Sequence, residues 1–371
     1  MPMPLTVYIG TNTGKNSSSK GIYIARFDSK SGQLTQPELA AATTSPSFLA
    51  MSPHAANGRI LYAVNEGADP ATSGVVTFAI DAKSGTLREL GRVPSGAAGP
   101  TYVSVDSTGH SVFTANYAGG SVSSYLVQPN GTLSGPVEQI DFKQNRFGKL
   151  GPNAGRQDAA HPHCANLSPD NRFLLVSDLG KDEITVFSVD PSTAQLTLGP
   201  TPQFSNGIPG SGPRHLAFHP NGRWLYAINE LTSTVDHFLW STTHTQPPQA
   251  MLIKTQNSVS TLDPKFAGQS TAAEIAVEPN GHFLYASNRG EDSLVVFRID
   301  QTNGSLQLAQ RIPCGGKTPR HFSLDPTGNW LVVSNQGSAS VTAFRRDGGS
   351  GQLSGPISSI SVDTPVFTLF S

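Results

Sequence analysis

Charge is scarce in this chain, and so is cysteine. Lys, Arg, Asp and Glu make up 14% of its 371 residues, against roughly 25% in an ordinary soluble protein. The formal net charge is −1, so no bulk attraction to nucleic acid or to an anionic membrane is expected. Two cysteines, Cys164 and Cys314, are too few for a disulfide framework. There is no run of about 18 apolar residues, and hence no helical membrane span. Residues 1–7 lead straight into a strand pattern without a signal-peptide signature, so the expected location is cytoplasmic. Familiar catalytic signatures are missing too: there is no Gly-x-Ser-x-Gly elbow and no His-Glu-x-x-His. Gly315-Gly316-Lys317-Thr318 looks like a phosphate loop but lacks the earlier glycine and follows a strand, so it reads as a turn.

Glycine (37) and proline (28) are plentiful, as many tight turns require. They punctuate a repeat. An Asn or Asp recurs at Asn12, Asn65, Asn116, Asp178, Asn229, Asn288 and Asn335, and in the last five units an aromatic follows nine residues on, from Tyr125 to Phe344. In the first two units the aromatic comes later, at Phe27 and Phe78. A period of about 40–50 residues built from short strands marks a propeller blade. The expected fold is all-β, one seven-bladed β-propeller over residues 1–371 with four-stranded antiparallel blades.

One unit gives the template. Pro213 to Phe218 alternates as a first strand; His219-Pro220-Asn221-Gly222 is a turn; Arg223 to Asn229 is the second strand and Val235 to Phe238 the third. A Gly-x-Leu opens the fourth strand in most units, as at Gly304 to Leu306, but His244 to Pro248 replaces it in this one. The first unit lacks a leading strand, because Val7 to Asn12 already matches a second strand. Pro365 to Leu369 matches the missing one, compare Pro46-Ser47-Phe48-Leu49. The termini are therefore expected to complete one blade and close the ring.

First strands line the channel of a propeller, and their starts lie beside second-strand ends. The starts carry His161 and His163, Arg214 and His215, Glu274, and Arg320 and His321; the ends carry Asn65-Glu66, Asn116-Tyr117, Asp178, Asn229-Glu230, Asn288-Arg289 and Asn335-Gln336. Arginine suits a carboxylate or phosphate, and His or Glu suits proton transfer. The repeated Asn or Asp reads as structural, and the recurring aromatics as core. His161 and His163 share a strand face, but no acid or thiol stands at ligand spacing, so no metal is expected. Cys164 alternates away from His163. The insertion 142–158 precedes His161 and is expected to arch over the mouth. Its Lys143, Arg146, Lys149 and Arg156 could steer an anion, and Arg156 and Gln157 are nearest the mouth.

Gly151-Pro152 through Arg156-Gln157, His161-Pro162-His163, Gly212-Pro213-Arg214-His215 and Asn229-Glu230-Leu231 together carry a resemblance over essentially the whole chain. The sequence resembles the seven-bladed propeller lactonase family, which includes bacterial 6-phosphogluconolactonases and fungal carboxy-cis,cis-muconate cyclase. The resemblance implies a catalytic set of His163, Arg214, Glu230 and Arg289, with Arg320 competing for the role of Arg289. It implies hydrolysis of a small anionic sugar lactone or carboxylated lactone, foremost 6-phosphogluconolactone of the pentose phosphate route, without a cofactor. Glu230 or His163 would be the general base, and Arg214 would stabilise the oxyanion or orient the carboxyl end. Arg289 and Arg320, with His321, would hold phosphate. Arg156, Gln157, His161, His215 and Glu274 complete the expected substrate-binding set. Reversible lactonisation of a carboxylated muconate is the alternative reaction. A non-catalytic binding propeller is the alternative class, disfavoured because aromatics are only 8% and fall mostly at core positions. A monomer or weak homo-oligomer is expected, with neither nucleic acid nor membrane as partner.

Overall fold

The computed structural model describes residues 5–53, 59–144, 147–205, 208–245 and 248–371, with the side chains of 200–205 left aside. Residues 1–4, Arg146 and the Gln246-Pro247 part of the His244–Pro248 turn, all used in the sequence reading, lie outside the described residues. The described strands form seven antiparallel sheets. Among the described residues there is no α-helix, only the 3₁₀ turns Pro70–Thr72 and Gln336–Ser338.

The first blade is shared by the chain ends: Leu5–Thr11 pairs with Gly21–Asp28 on one side and with the C-terminal Pro365–Phe370 on the other. Blades two to seven follow in order, with inner strands Leu49–Met51, Pro100–Val105, Pro162–Leu167, Pro213–Phe218, Thr271–Val277 and Pro319–Leu324. Two sheets count five strands because one outer strand is broken. Gln33–Leu34 and Glu38–Ala42 both pair with Gly21–Asp28, and Ala250–Lys254 and Val259–Ser260 both pair with Thr234–Thr242. The inner strand of blade two begins at Leu49, not Pro46. In blade three the Gly131–Leu133 turn makes only the isolated bridge Val127–Leu133, and the outer strand comes later, at Glu138–Asp141.

The second strands are the most deeply buried elements. Ile60–Asn65, Ser111–Asn116, Phe173–Asp178, Trp224–Asn229 and Trp330–Asn335 are covered at every residue. Each is sandwiched between two adjacent blades, so both of its faces are apolar rather than alternating. Their tyrosines tie blade to blade: the hydroxyls of Tyr8, Tyr62, Tyr226 and Tyr285 donate to the carbonyls of Gly85, Gly131, Gly304 and Gly351 in the next blade at 2.7–2.8 Å. Trp330 does the same across the closing seam, donating to Ser29 O at 2.8 Å. Gly85, Gly304 and Gly351 each stand two residues before an outer strand. Gly351 sits at φ +70°, and a Cβ there would lie 2.4 Å from the Phe283 ring, so conformation and close approach both demand glycine.

The repeated Asn is structural. Asn116 Nδ2 reaches Ser95 O and Ser121 Oγ, Asn288 Nδ2 reaches Thr261 O and Ser293 Oγ, and Asn335 Nδ2 reaches Thr342 Oγ1. In each case the buried amide joins the end of the second strand to the segment preceding the blade or to its third strand. Asp178 takes the same place as an acceptor for the N–H groups of His161, Gly180 and Lys181.

Candidate active site

The site is built from one irregularity repeated around the ring. At the start of several inner strands the pairing with the second strand slips by one residue: Pro162 faces Asp178 but Cys164 faces Ser177, Pro213 faces Asn229 but His215 faces Ile228, and Pro319 faces Asn335 but His321 faces Ser334. The skipped residues are His163, Arg214 and Arg320. Blade three slips at Thr101, between Pro100 and Tyr102. A bulge of this kind re-aims a side chain out of the regular pleat. Beside the bulges stand the residues that follow each repeated Asn: Glu66, Tyr117, Glu230 and Arg289.

These two rings meet in a cavity of about 310 Å³ lined by Glu66, Thr101, Tyr117, Arg156, His163, Glu230, Arg289 and Arg320. Three of the lining residues, Arg156, Arg289 and Arg320, carry guanidinium groups. Glu230 is their hub. Its Oε1 accepts from Arg156 Nη2 at 2.5 Å, and its Oε2 lies 3.1 Å from Arg214 Nε and 2.9 Å from Arg289 Nη2. The Arg214 contact is an ion pair rather than an aligned hydrogen bond, since Arg214 Nε is buried without a hydrogen-bond acceptor. Both buried arginines are also tethered to the backbone: Arg214 Nη1 donates to Ala273 O at 2.7 Å, and Arg289 Nη2 to Ala272 O at 3.0 Å.

Burial alone would raise the Glu230 carboxyl pKa. The charges of Arg289, Arg214 and Arg156 overcome that and hold it at about 2. Arg214 is brought down to about 9 by burial and by its neighbours Arg289 and Arg320, which still leaves it charged at neutral pH. His163 is 5% exposed, and its pKa is pushed well below the ordinary value by burial and then by Arg214, His215 and Arg320. It is therefore a neutral imidazole. Its Nδ1 is buried with no hydrogen-bond partner, and its ring meets Tyr117 and His215 edge-on. Among the described residues, Arg320 forms no hydrogen bond or ion pair, although it lines the cavity.

The other residues expected to bind substrate occupy different positions. His215, Glu274 and His321 lie deeper, as a buried cluster: Glu274 Oε2 is 3.0 Å from His215 Nδ1 and 3.4 Å from His321 Nε2. Burial raises the Glu274 pKa, and it lowers that of His321 to about 4. This cluster supports the floor and does not line the cavity. Gln157 is a brace. It is 1% exposed, and its amide spans Leu179 O, Asp182 Oδ1 and Asn153 N, so no donor or acceptor faces the mouth. His161 is also engaged, with Nδ1 on Tyr117 O and Nε2 on Asp158, and its ring stacks 4.4 Å from that of Tyr117. It positions Tyr117. In the insertion, Phe142 and Phe147 anchor the loop in the core, and Arg156 alone among its described cations reaches the cavity.

Thr101 was missed by the sequence reading, although its place after Pro100 matches His163 after Pro162, Arg214 after Pro213 and Arg320 after Pro319. That shared Pro-x pattern was the available signal. Glu66 and Tyr117 were noted at second-strand ends without being assigned a role. Among the described residues, no group of three or more His, Cys, Asp or Glu is placed to hold a metal ion.

The ring closure, the bulged inner strands and the guanidinium-rich mouth define a seven-bladed propeller with an arginine-lined cavity. The chain belongs to the lactonase, 7-bladed β-propeller family, whose model matches residues 6–370. It is 34% identical over 313 residues to the 6-phosphogluconolactonase of Bacillus subtilis (strain 168), covering 84% of this chain and 83% of that protein. It is 33% identical over 316 residues to the 6-phosphogluconolactonase of Formosa agariphila, covering 85% and 84%. The solved structure of the periplasmic gluconolactonase of Pseudomonas aeruginosa superposes with a TM-score of 0.87 at 31% identity, covering 99% of this chain and 98% of that one.

Proposed function

We propose that this protein hydrolyses 6-phosphoglucono-1,5-lactone to 6-phosphogluconate, the lactone step of the pentose phosphate route. One observation carries the reading: a neutral His163 and an unpaired Arg320 share a small cavity with Arg156 and Arg289. A phosphorylated lactone needs an anion anchor, a base for water and a positive group at the carbonyl oxygen. Arg320 is the anchor. Arg289 lies at the cavity wall with Nε unpartnered and stabilises the oxyanion as it forms. Arg214 lies behind Glu230, outside the lining, so its part is to hold the carboxylate hub rather than to touch the substrate.

His163 is the base in this reading, and Glu230 is not. A carboxylate held at about 2 by three guanidiniums has little proton affinity at neutral pH. Water adds to the carbonyl carbon and gives its proton to His163. The bond from that carbon to the ring oxygen then breaks, and His163 returns the proton to the departing oxygen as a hydroxyl. The bound phosphate offsets the arginine charges that depress His163, so substrate binding itself strengthens the base. The two relatives named 6-phosphogluconolactonase support this substrate. We place the reaction in the cytoplasm, in keeping with two buried, unpaired cysteines. The Pseudomonas relative is periplasmic, so cell fractionation is the deciding experiment for location. We take the protein to be a monomer or weak homo-oligomer. Hydrolysis of freshly generated 6-phosphogluconolactone, followed against the spontaneous rate with and without chelator, tests the reaction. Rate enhancement that survives the chelator supports it, and decay at the spontaneous rate refutes it.

A further inference from the structure

The cavity is polarised. Arg289 and Arg320 stand on blades six and seven, and Arg156 joins them through Glu230. On the far side, on blades two and three, stand Glu66 and Thr101, strapped together where Gly99 N–H donates to Gly67 O at 2.8 Å. Glu230 is saturated by three arginines, whereas the Glu66 side chain makes no hydrogen bond or ion pair among the described residues. Thr101 is 6% exposed, and its Oγ1 is buried without a partner. Two unengaged oxygen-bearing side chains therefore share one edge of a pocket whose other edge is cationic.

We propose that Glu66 and Thr101 form the edge that recognises the hydroxyl groups of the lactone ring. This rests on the lactonase reading above and adds the specificity within it. A carboxylate accepts hydrogen bonds from two hydroxyls, and a threonine hydroxyl can donate or accept. The unpaired negative charge of Glu66 accepts neutral polyol donors and repels a second carboxylate. It thus selects sugar lactones over lactones of dicarboxylic acids. A buried polar atom left without its partner is costly, so a ring lacking hydroxyls is rejected by the same two residues.

The test compares glucono-δ-lactone with δ-valerolactone, which has the same ring without hydroxyls, in the wild type, Glu66→Ala and Thr101→Val. Both variants should lower the ratio of kcat/KM for the sugar lactone to that for the bare ring by about tenfold or more, chiefly through KM. Glu66→Gln, which keeps one acceptor oxygen, should fall between. A ratio that stays at its wild-type value, or equal losses on both lactones, overturns the assignment. A wild type that accelerates neither of these lactones nor 6-phosphogluconolactone overturns the lactonase reading instead, which separates the two failures.

Discussion

Arg156 and Glu230 lie 74 residues apart in the chain, yet Arg156 Nη2 donates to Glu230 Oε1 at 2.5 Å. One belongs to the insertion that enters blade four and the other follows a strand of blade five, so their contact pins the insertion over the mouth. Arg156→Ala should release that hold. The Arg156 side chain is 39% exposed, so thermal stability should change little. Losing a charge-assisted contact at the cavity should lower kcat/KM by about ten- to hundredfold. Steady-state kinetics beside a melting curve checks both halves.

Glu230→Gln separates a structural hub from a catalytic base. Removing this charge leaves Arg214 and Arg289 buried without their counter-ion, which should cost about 3–5 kcal/mol of stability. A base that was not also a hub would lose activity with its denaturation midpoint unmoved. The pH dependence follows from the same contacts. Glu230 has a lowered folded pKa, about 2 against 4.5. Its stabilising contribution is therefore complete above about pH 4.5 and is lost as pH falls towards 2. Urea midpoints measured across that window should show the loss in the wild type and not in Glu230→Gln.

His163 should reveal itself in the pH–rate profile. Its folded pKa is depressed well below 6.5, so the free enzyme keeps a neutral base there even where ordinary histidines are half charged. Over pH 8 to 6.5, kcat/KM should stay flat and decline only at lower pH. A midpoint near 6.5 would contradict the burial argument. His163→Gln should reduce kcat by about a hundredfold or more.

The blade-to-blade tyrosine bonds make a separate prediction about the ring. Tyr226→Phe removes only the hydroxyl that donates to Gly304 O. It should cost about 1 kcal/mol without touching activity, as read by chemical denaturation and by kcat/KM.

Much of this was legible in the sequence, because repetition makes one unit interpret another. The closing strand Pro365–Phe370 and the strand starts at Pro162, Pro213 and Pro319 follow from matching repeats. Other features were hidden by substitution within the pattern. Blade four has no glycine in its outer turn, but Ala194 takes the same left-handed conformation at φ +57°, and its N–H donates to Asp190 O as Gly304 N–H does to Asp300 O. The cue shared with blades one, two, six and seven is the aspartate four residues back, not the glycine. The limits at the site were of another kind. Repeat position shows that His163, Arg214, Glu274 and Arg320 share one end of the channel, but not their depth. Glu274, His215 and His321 sank below the cavity as a mutually satisfied cluster. Gln157 turned inward to brace a loop. Arg156 crossed to a neighbouring blade. Depth depends on which polar groups find partners, and that is decided between blades rather than within one repeat.

In the proposed reaction, an unpaired Arg320 gives a neutral-histidine lactonase its preference for a phosphorylated substrate. The direct measurement is kcat/KM for 6-phosphogluconolactone and for glucono-δ-lactone, side by side, in the wild type and in Arg320→Ala. The account predicts a clear wild-type preference for the phosphorylated lactone that Arg320→Ala abolishes, with the unphosphorylated lactone turned over as before. An unchanged preference in the variant, or no preference in the wild type, would contradict it.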